Sequence, residues 1–433
     1  MGRYQNYSGY RSTLVEWIGD IPEHWNLIRG KFKFTNKKVV NKELQCMERL
    51  ALTMNGVIER SIESDEGLQP AEFSGYQIFE KGDLVFKLID LENFKTSRVG
   101  IVPKKGIMSP AYIRATPNEK VNTRFFYYFY FDLYLRGIYN DIGGQGVRSA
   151  LYASDLLELL ICTPTVDEQE QIANFLDHET AKIDTLIEKQ QQLIKLLKEK
   201  RQTVISHAVT KGLNPNAPMR DSGVEWLGEV PKHWIVGKVA YCSSSLDQCR
   251  VPIEAGVRGD RQGEYPYYGT SGIIDYVDDY LFDEPLVLVC EDGWNLMLRS
   301  QPVARPVNGK IWVNNHAHIL RADVVEPSLL AECIEQTPLH LFVTGMRQPK
   351  LTADALRNIP VAYPPEKDEQ MQLVQYMGKV VSKFSLLESR AKDSIELLKE
   401  RRTALIFAAV TGKIDVRNWK APEQSSTNQE AVA

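Results

Sequence analysis

A long apolar-periodic run that occurs twice constrains this chain more than any other feature. The first copy runs from Asp167 to Thr210 and the second from Asp368 to Thr411, at a constant offset of 201 residues and without a gap. The same offset pairs Leu196-Leu197-Lys198-Glu199 with Leu397-Leu398-Lys399-Glu400. Because chance does not reproduce a register over such a length, we interpret the chain as an internal duplication.

Each run has the spacing of a heptad helix, with apolar side chains at alternating steps of three and four residues. The first copy provides Ile172, Leu176, Ile183, Leu186, Leu193, Leu197 and Val204, and their counterparts are Leu373, Met377, Phe384, Leu387, Ser394, Leu398 and Leu405. A helix of about 40 residues is about 60 Å long and needs a partner to bury its stripe. We predict that the two helices pack on each other. The alternative is two unrelated amphipathic helices on a common core.

The ends of the predicted helices carry their own signals. Thr165 and Glu168 have the spacing of a capping box, and Gly212 and Gly412 lie where helix C-terminal glycines are common. We therefore place the long helices in residues 165–212 and 365–412.

A second repeat opens each half of the chain. Residues 15–25 match residues 224–234 at an offset of 209, with seven identical positions. The repeated aromatic residues and histidines are Trp17, His24 and Trp25 in the first copy, and Trp226, His233 and Trp234 in the second. This composition favours a packed structural joint in which the imidazole bonds to backbone. The alternative, a catalytic histidine oriented by Glu16 or Glu225, fits poorly with a motif that is present in both halves.

Two regions of short β-like runs, broken by Gly, Asn and Pro turns, lie between the joints and the long helices. Strands are predicted at 83–86, 98–102, 286–289 and 310–313, and helices at 123–137 and 328–338. We predict an α+β fold with a joint at 1–25, a domain at 26–164, a long helix at 165–212, a linker and second joint at 213–234, a second domain at 235–364, a long helix at 365–412 and a tail at 413–433, disordered at its end. Outside the repeats the two halves share little sequence.

Composition sets the compartment but not the ligand. The six cysteines show no CxxC pairing and no zinc spacing, which predicts a reduced, cytoplasmic setting. We find neither a basic-then-apolar leader nor an apolar run near 18 residues, so we expect no secretion and no membrane span. The formal net charge is −4, but residues 25–164 carry 19 Lys+Arg against 16 Asp+Glu and residues 235–363 carry 11 against 16. Charge therefore leaves nucleic-acid binding open.

Motifs of common enzymes are absent from the sequence. We find no phosphate-binding loop, no GxGxxG after a strand, no HExxH, no nucleophile elbow and no Asn-Pro-Pro-aromatic motif of adenine methyltransferases. His316 and His318 alternate on a predicted strand, but no third metal ligand is apparent. We interpret both as core or surface histidines and predict neither a metal site nor a catalytic residue.

A polar glycine loop precedes each long helix: Gly143-Gly144-Gln145-Gly146-Val147-Arg148 and Thr344-Gly345-Met346-Arg347-Gln348. Arg can bond guanine and Gln can bond adenine through two hydrogen bonds each, and glycine lets backbone approach phosphate. Candidate DNA contacts are therefore Gln145, Arg148, Arg347 and Gln348, together with Lys87, Arg98, Tyr267 and Tyr268. The alternative for the last four is ordinary solvated surface and an aromatic turn.

With these features the chain resembles the specificity (S) subunit of type I restriction-modification enzymes over nearly its whole length. The Trp-x-Gly-x-x-Pro-x-His-Trp, Pro-x-x-Asp-Glu-Gln and Leu-Leu-Lys-Glu-[Lys/Arg]-Arg motifs carry the resemblance, each present twice, with Tyr267-Tyr268-Gly269-Thr270-Ser271-Gly272 and Glu291-Asp292-Gly293. The resemblance implies two target-recognition domains, each reading one half of a split, asymmetric DNA site. It also implies that the long helices form an antiparallel coiled coil in a circular pseudo-twofold arrangement. Half-sites one turn apart, about 34 to 36 Å, lie on the same DNA face, and such a rod is long enough to set that spacing.

The resemblance further implies partners and a division of labour. Two methyltransferase (M) subunits are expected to dock on the coiled coil and joints, and two restriction-translocase (R) subunits to join them. S-adenosylmethionine, ATP and magnesium belong on those partners, and this chain has no active site. Two other hypotheses are a self-contained nuclease or methyltransferase with divergent motifs, and a coiled-coil scaffold that binds protein without DNA specificity.

Overall fold

The computed structural model describes residues 4–53, 56–62, 72–89, 91, 98–118, 121–142, 150–270, 272–345 and 347–422. The chain divides into two compact units, one formed by Met1–Gln190 with Lys392–Ala433 and the other by Gln191–Ala391. Both boundaries fall inside a long helix, so each unit contains one globular domain and a part of each long helix.

The first half of the chain begins with the first joint and ends with the first long helix. Its elements are β1 (Tyr10–Ser12), β2 (Asp20–Pro22), β3 (Asn26–Arg29), a 3-10 turn (Gly30–Phe32), β4 (Phe34–Thr35), β5 (Leu50–Thr53), β6 (Gly56–Glu59), β7 (Gln77–Phe79), β8 (Leu84–Phe86), β9 (Val99–Ile101), β10 (Gly106–Met108), β11 (Ile113–Pro117), α1 (Thr123–Leu135), α2 (Ile138–Ile142), α3 (Ala153–Glu158), β12 (Leu160–Thr163) and α4 (Val166–Lys211).

The second half has the same order at its start and end. Its elements are β13 (Met219–Asp221), β14 (Glu229–Pro231), β15 (Ile235–Lys238), α5 (Val239–Cys242), β16 (Ser243–Ser245), a 3-10 turn (Asp247–Cys249), α6 (Ala255–Asp260), β17 (Gln262–Gly269), β18 (Gly272–Val277), β19 (Phe282–Asp283), β20 (Leu286–Cys290), α7 (Asn295–Leu298), β21 (Ala304–Val307), β22 (Lys310–Val313), β23 (Ala317–Ala322), α8 (Pro327–Glu335), a 3-10 turn (Leu339–Leu341), α9 (Ala353–Arg357), β24 (Pro360–Tyr363) and α10 (Lys367–Val410).

The two globular domains share a frame that their sequences do not reveal. A four-stranded antiparallel sheet has the order β4-β11-β8-β9 in the first domain and β16-β23-β20-β21 in the second. In each domain a helix, α1 or α8, shares the core with this sheet, and a two-stranded pair, β3-β12 or β15-β24, leads into the long helix. The domains differ in the strands outside this frame. The second domain has an additional four-stranded sheet of order β18-β17-β22-β19.

Buried apolar runs explain the central strands. All residues of β8 and of β20 are buried, as expected for strands that are paired on both sides and covered on both faces. Helix α1 begins where the Asn122 side chain accepts hydrogen bonds from the amides of Arg124 and Phe125, at 3.1 and 3.2 Å. Its aromatic side chains then enter the core, where Phe126 contacts Phe34 with ring centroids 5.2 Å apart.

The long helices α4 and α10 are antiparallel within each unit. In the first unit, Gln171 donates to the Trp419 carbonyl, and further along α4 Asp184 lies 3.1 Å from Arg402. The second unit shows the same direction, because Arg201 lies 3.3 Å from Glu388 and the next turns of α4 share a surface cavity with Tyr376. The predicted α+β class, with two globular domains and two antiparallel long helices, is confirmed.

The predicted seam of the coiled coil is partly wrong. Ile172, Leu176, Ile183, Leu373 and Met377 are buried, and Leu197 and Leu398 are half-buried, but Leu186 and Leu387 are 41% and 38% exposed. The inward positions of this stretch are Ile187, Ile194 and Ile395 instead. Apolar residues come here in neighbouring pairs, such as Leu186-Ile187, so the spacing alone does not fix which member faces inward.

In the first unit the residues that follow α10 contact the first joint, as the residues that follow α4 contact the second joint in the second unit. Gly412 has a φ of +70°, and a Cβ there would lie 2.4 Å from Pro22, so glycine is required at this contact. Gly212 has a φ of +76° and lies beside the equivalent Pro231, although a Cβ there would be 3.5 Å away, an ordinary contact distance. Lys413 donates to the Asp20 carbonyl as Lys211 does to that of Glu229, although the order of Gly and Lys is reversed. The second long helix thus leads into the first joint, as the circular arrangement requires.

Candidate nucleic-acid interface

The two joints are carboxylate clamps at the starts of the long helices. In the first, His24 Nε2 lies 3.1 Å from both carboxylate oxygens of Glu168, and Trp25 Nε1 donates to the same carboxylate at 3.3 Å. In the second, His233 Nε2 lies 2.9 Å from Glu369, which also accepts from Trp234 Nε1 at 2.9 Å. The histidines therefore bond to carboxylates and not to backbone, which corrects the sequence interpretation.

The glutamine that follows each clamp glutamate ties the globular domain to its helix. Gln169 accepts from the Asn122 amide at 3.0 Å and donates to the Pro164 carbonyl. Gln370 does the same with Glu326 and Pro364. Both glutamines are buried. The repeated Asp-Glu-Gln motif thus connects joint, domain and helix, a role that its presence at both helix starts could have indicated. Trp17 and Trp226 pack beside the joints against Phe129 and Phe342.

We expect the Glu168→Ala protein to lose about 2 to 6 kcal/mol of unfolding free energy, because the Trp25 indole and the Tyr7 hydroxyl each lose a buried acceptor worth about 1 to 3 kcal/mol. Burial, and then the charge of Glu168, raises the pKa of Tyr7, so its hydroxyl stays protonated and donates. Urea unfolding measures the loss. The control is Glu170→Ala, an exposed glutamate of the same turn, and equal losses in the two variants would contradict the clamp.

A short hairpin in the second domain carries the predicted loop residues. The amide of Thr344 donates to the Lys350 carbonyl at 2.9 Å, and the amide of Lys350 donates back at 2.8 Å. Gly345 has a φ of +86°, and a Cβ there would lie 2.5 Å from the Gln348 carbonyl oxygen, so another residue would not close this turn. Arg347 and Gln348 are exposed at its tip. Within the described residues neither side chain forms a hydrogen bond or an ion pair, so their donors and acceptors are available to a ligand.

The hairpin is held against the loop that follows β20. The amide of Leu351 donates to the Glu291 carbonyl at 2.8 Å, and the amide of Gly293 donates to the Pro349 carbonyl at 2.9 Å. Lys350 Nζ lies 3.2 Å from the Glu291 carboxylate. These contacts fix the C-terminal side of the hairpin, and the paired Thr344 and Lys350 tie the other side to it, so Arg347 and Gln348 are presented from a rigid base.

A buried ionic cluster lies beneath this base. His318 is 2% exposed, and its Nε2 donates to the Leu351 carbonyl at 2.8 Å while its Nδ1 lies 2.6 Å from Asp247. Arg250 donates to Glu291 at 2.5 Å. Burial lowers the pKa of His318, but the hydrogen bond to Asp247 and that to Leu351 outweigh it, and the net pKa is raised. Burial raises the pKa values of Asp247 and Glu291, but hydrogen bonds from His318 and Arg250 outweigh it and hold both below the ordinary range.

Two of the predicted DNA contacts are structural. The Tyr267 ring is 1% exposed, its hydroxyl accepts from the Ile253 amide at 3.1 Å, and Arg258 lies over the ring. Arg98 is 2% exposed and donates to the carbonyls of Ile89 and Leu91. We therefore remove both from the candidate contacts. The two predictions were wrong because spacing in the sequence shows neither the burial nor the direction of a side chain.

Of the remaining candidate DNA contacts, two are half-buried and two lie outside the described residues. Tyr268 is half-buried near the end of β17, and Lys87 is half-buried directly after the buried strand β8. Gln145 and Arg148 lie outside the described residues. Leu151, three residues after Arg148, donates its amide to the Leu88 carbonyl at 2.9 Å, as Leu351, three residues after Gln348, does to Glu291 in the second domain. Leu151 and Leu351 therefore occupy equivalent places in the two frames.

The two alternating histidines have different partners. His316 is exposed and its Nδ1 lies 2.7 Å from Asp292, while His318 belongs to the buried cluster. Across the described ranges, no group of three or more His, Cys, Asp or Glu side chains is arranged to hold a metal ion. In the same part of the chain, no helix has the length and apolar character needed to cross a bilayer.

Comparison with known proteins gives concordant findings. A protein-family model described as "Type I restriction modification DNA specificity domain" matches residues 30–196 and 246–397. A putative type I restriction enzyme specificity subunit of Haemophilus influenzae is 31% identical over 121 residues, which is 28% of this chain and 30% of that protein. The match thus spans less than a third of that relative.

Two solved structures have a similar fold. One is a chain from work on complex assembly and conformational transition of the type I R-M system, with a TM-score of 0.69 and 14% identity over 90% of this chain and 98% of that chain. The other is the HsdS subunit from Thermoanaerobacter tengcongensis, with a TM-score of 0.52 and 15% identity over 91% of this chain and 98% of that chain. At these identities the likeness concerns the fold alone.

Proposed function

Because this chain belongs to the type I restriction-modification DNA specificity family, we propose that it gives a type I restriction-modification enzyme its target sequence. The observation that carries the proposal is the rigid hairpin that presents Arg347 and Gln348 to solvent. Arg and Gln are the side chains best suited to guanine and adenine edges in the major groove. Their support by the Glu291 loop fits the demand that a base-reading group be held in one position.

Each globular domain reads one half of a split DNA site. The two domains have the same four-stranded frame but different loop residues and different additional strands. A shared frame with unlike reading groups is what recognition of two unlike half-sites needs. The site is therefore asymmetric, with the second half read by the Arg347 hairpin and the first by the domain that contains Gln145 and Arg148.

The long helices set the distance between the half-sites. Helix α4 has 46 residues, which at a rise of 1.5 Å gives about 69 Å. Half-sites on one face of DNA are separated by multiples of about 34 to 36 Å, so a rod of this length reaches across the spacer. Changing the helix length by whole heptads is therefore expected to change the spacer and not the half-sites.

The repeated elements dock the partners. The two joints and the two helices are equivalent in sequence and in their clamp contacts, so they suit two copies of one partner, the methyltransferase (M) subunit. Two restriction-translocase (R) subunits complete the enzyme. This chain is non-catalytic, and S-adenosylmethionine, ATP and magnesium are bound by the partners.

The experiment that tests the function is genome-wide mapping of methylated adenines in cells that express this chain with its cognate methyltransferase. We expect a split motif that is missing from cells with the methyltransferase alone. Exchanging residues 235–364 for those of another recognition domain should replace one half of the motif and leave the other intact. A stable complex without any motif would favour the scaffold, and DNA cleavage or methylation by the isolated chain would favour a self-contained enzyme.

Arg347→Ala and Gln348→Ala are expected to relax the second half-site at one base pair each, since a bidentate contact discriminates by about 1 to 3 kcal/mol. The first half-site should stay unchanged. The measurement is methylation of duplexes with each base substituted in turn. Arg357→Ala, an exposed arginine of α9 in the same domain, is the matched control. Identical base preferences in all three variants would remove the hairpin from the reading surface.

A further inference from the structure

The loop that follows β20 exposes a group of large apolar side chains. Trp294 is 55% exposed, Met297 45% and Leu298 70%, all on or beside the short helix α7. Leu341, in the 3-10 turn that contacts α7, is 57% exposed. Water-exposed apolar side chains that are clustered in this way mark interaction sites more often than scattered ones do.

This exposure does not come from a loose loop, because both ends are anchored. At the start, Asp292 lies 2.7 Å from His316 Nδ1. At the end, Arg299 adopts a left-handed backbone with a φ of +49°, and its guanidinium donates to the carbonyls of Glu335 and Thr337. This conformation carries an energetic cost for a residue other than glycine. The Arg299 contacts offset that cost and hold the apolar side chains outward.

The group is adjacent to the hairpin proposed to read bases. The amide of Gly293, the residue before Trp294, donates to the carbonyl of Pro349, the residue after Gln348. Trp294 and the hairpin are therefore held next to each other by the same backbone hydrogen bonds. Both belong to the second globular domain, whose loops differ from those of the first domain, and not to the repeated joints and helices.

We propose that the Trp294–Leu298 segment reads thymine, through apolar contact with the 5-methyl group in the major groove of the second half-site. The inference rests on the proposed function and extends it from hydrogen bonding to apolar recognition. Thymine is the base that presents a methyl group in this groove, and apolar side chains distinguish it by that group. A polar hairpin and an apolar segment side by side can thus read neighbouring base pairs in different ways.

The location favours DNA over a protein partner. A partner that binds in two copies needs a surface that recurs in both halves, whereas this segment has no counterpart at the offsets that relate the repeats. The repeated surfaces serve such a partner instead. The apolar segment shares its base with Arg347 and Gln348, which would face the same ligand.

The test is a cycle that combines a protein change with a base change, carried out on the assembled complex with its methyltransferase. The half-site is first read from the methylation map. Each thymine of the second half-site is then replaced by uracil, which lacks the methyl group and keeps its base pairing. For the unchanged protein we expect one such replacement to weaken binding about fourfold, the effect of burying one carbon.

The Trp294→Ala complex should bind the thymine site about tenfold more weakly and should show no further loss with uracil at the same position. Tyr241→Ala, which removes an aromatic side chain that is 70% exposed in the same domain, should bind as the unchanged protein does and keep the uracil effect.

Equal uracil effects in the unchanged protein and in the Trp294→Ala protein would overturn the inference. So would a binding loss on Trp294→Ala that is the same at every sequence, since this indicates a non-specific contact or insertion between bases. Absence of any split motif with the unchanged protein would instead reject the proposed function itself.

Discussion

The Ile183→Asp protein is expected to lose at least about 4 kcal/mol of unfolding free energy, which for most domains prevents stable folding. Ile183 is 3% exposed and shares the core of the first unit with Leu405 and Ile406 of the second long helix. An aspartate there replaces apolar contacts by a buried carboxylate without a partner. The neighbouring Asp184 already pairs with Arg402. Urea unfolding followed by circular dichroism measures the loss.

Leu186→Asp is the matched control, because it makes the same kind of change one turn further along α4. Leu186 is 41% exposed, so its replacement should cost no more than about 1 kcal/mol. The heptad spacing places both residues on the buried seam, so the sequence alone predicts a large loss for both variants. Equal losses in the two variants would show that the seam follows the simple heptad assignment after all.

The contrast between these two residues shows how far the sequence determines the long helices. Their existence, their ends and their association follow from the repeat and from the glycines at 212 and 412. The inward face is less determined, since leucine and isoleucine stand side by side at several turns. Which of the two enters the core depends on the helix crossing and on the domain below it, and neither is encoded in spacing alone.

The common frame of the two globular domains shows a second limit of prediction from the sequence. Strands β8 and β20 occupy the same place in their sheets, yet they share no offset with the repeated segments. Any apolar side chain of suitable size satisfies a buried strand, so the frame persists while its residues change. The joints keep their residues because Glu168 and Glu369 need particular donors in particular positions.

The candidate interface was predictable where chemistry and loop position agreed. Arg347 and Gln348 combine hydrogen-bonding groups with a position in a glycine turn, and the structure exposes both. For Arg98 and Tyr267 the sequence offers suitable chemistry alone, and the structure buries both. The sequence does not indicate Trp294, because an isolated tryptophan is more often buried and its exposure depends on the distant anchors at Glu335 and Thr337.

The largest effect in the second unit is expected from His318→Leu, with a loss of about 3 to 5 kcal/mol, typical of a buried ion pair that loses one partner. The change leaves the Leu351 carbonyl without its donor and Asp247 without its closest cation. Since Leu351 directly follows the hairpin and its amide is bonded to the Glu291 carbonyl, we also expect Arg347 and Gln348 to lose their fixed position. Relaxed base preference at the second half-site, beside the lower stability, would show this.

The same cluster predicts how stability depends on pH. The pKa of His318 is raised in the folded chain above the ordinary value of 6.5, so its contribution is fully present below pH 6.5 and is lost as the pH rises through the folded value. The geometry gives the reason: Nε2 must keep its proton for the Leu351 carbonyl, so loss of a proton leaves a bare Nδ1 lone pair 2.6 Å from the Asp247 carboxylate.

Scanning calorimetry at pH 6, 7.5 and 9 tests this dependence. The melting temperature of the unchanged protein should fall over this range by more than that of His318→Leu, so that the two curves converge as the pH rises. His316→Leu is the control, because this exposed histidine pairs with Asp292 at the surface, where an ion pair contributes about 1 kcal/mol or less, and its curve should follow the unchanged protein. Parallel curves for the unchanged protein and His318→Leu would mean that His318 is neutral throughout, and that the proton in the cluster belongs to Asp247.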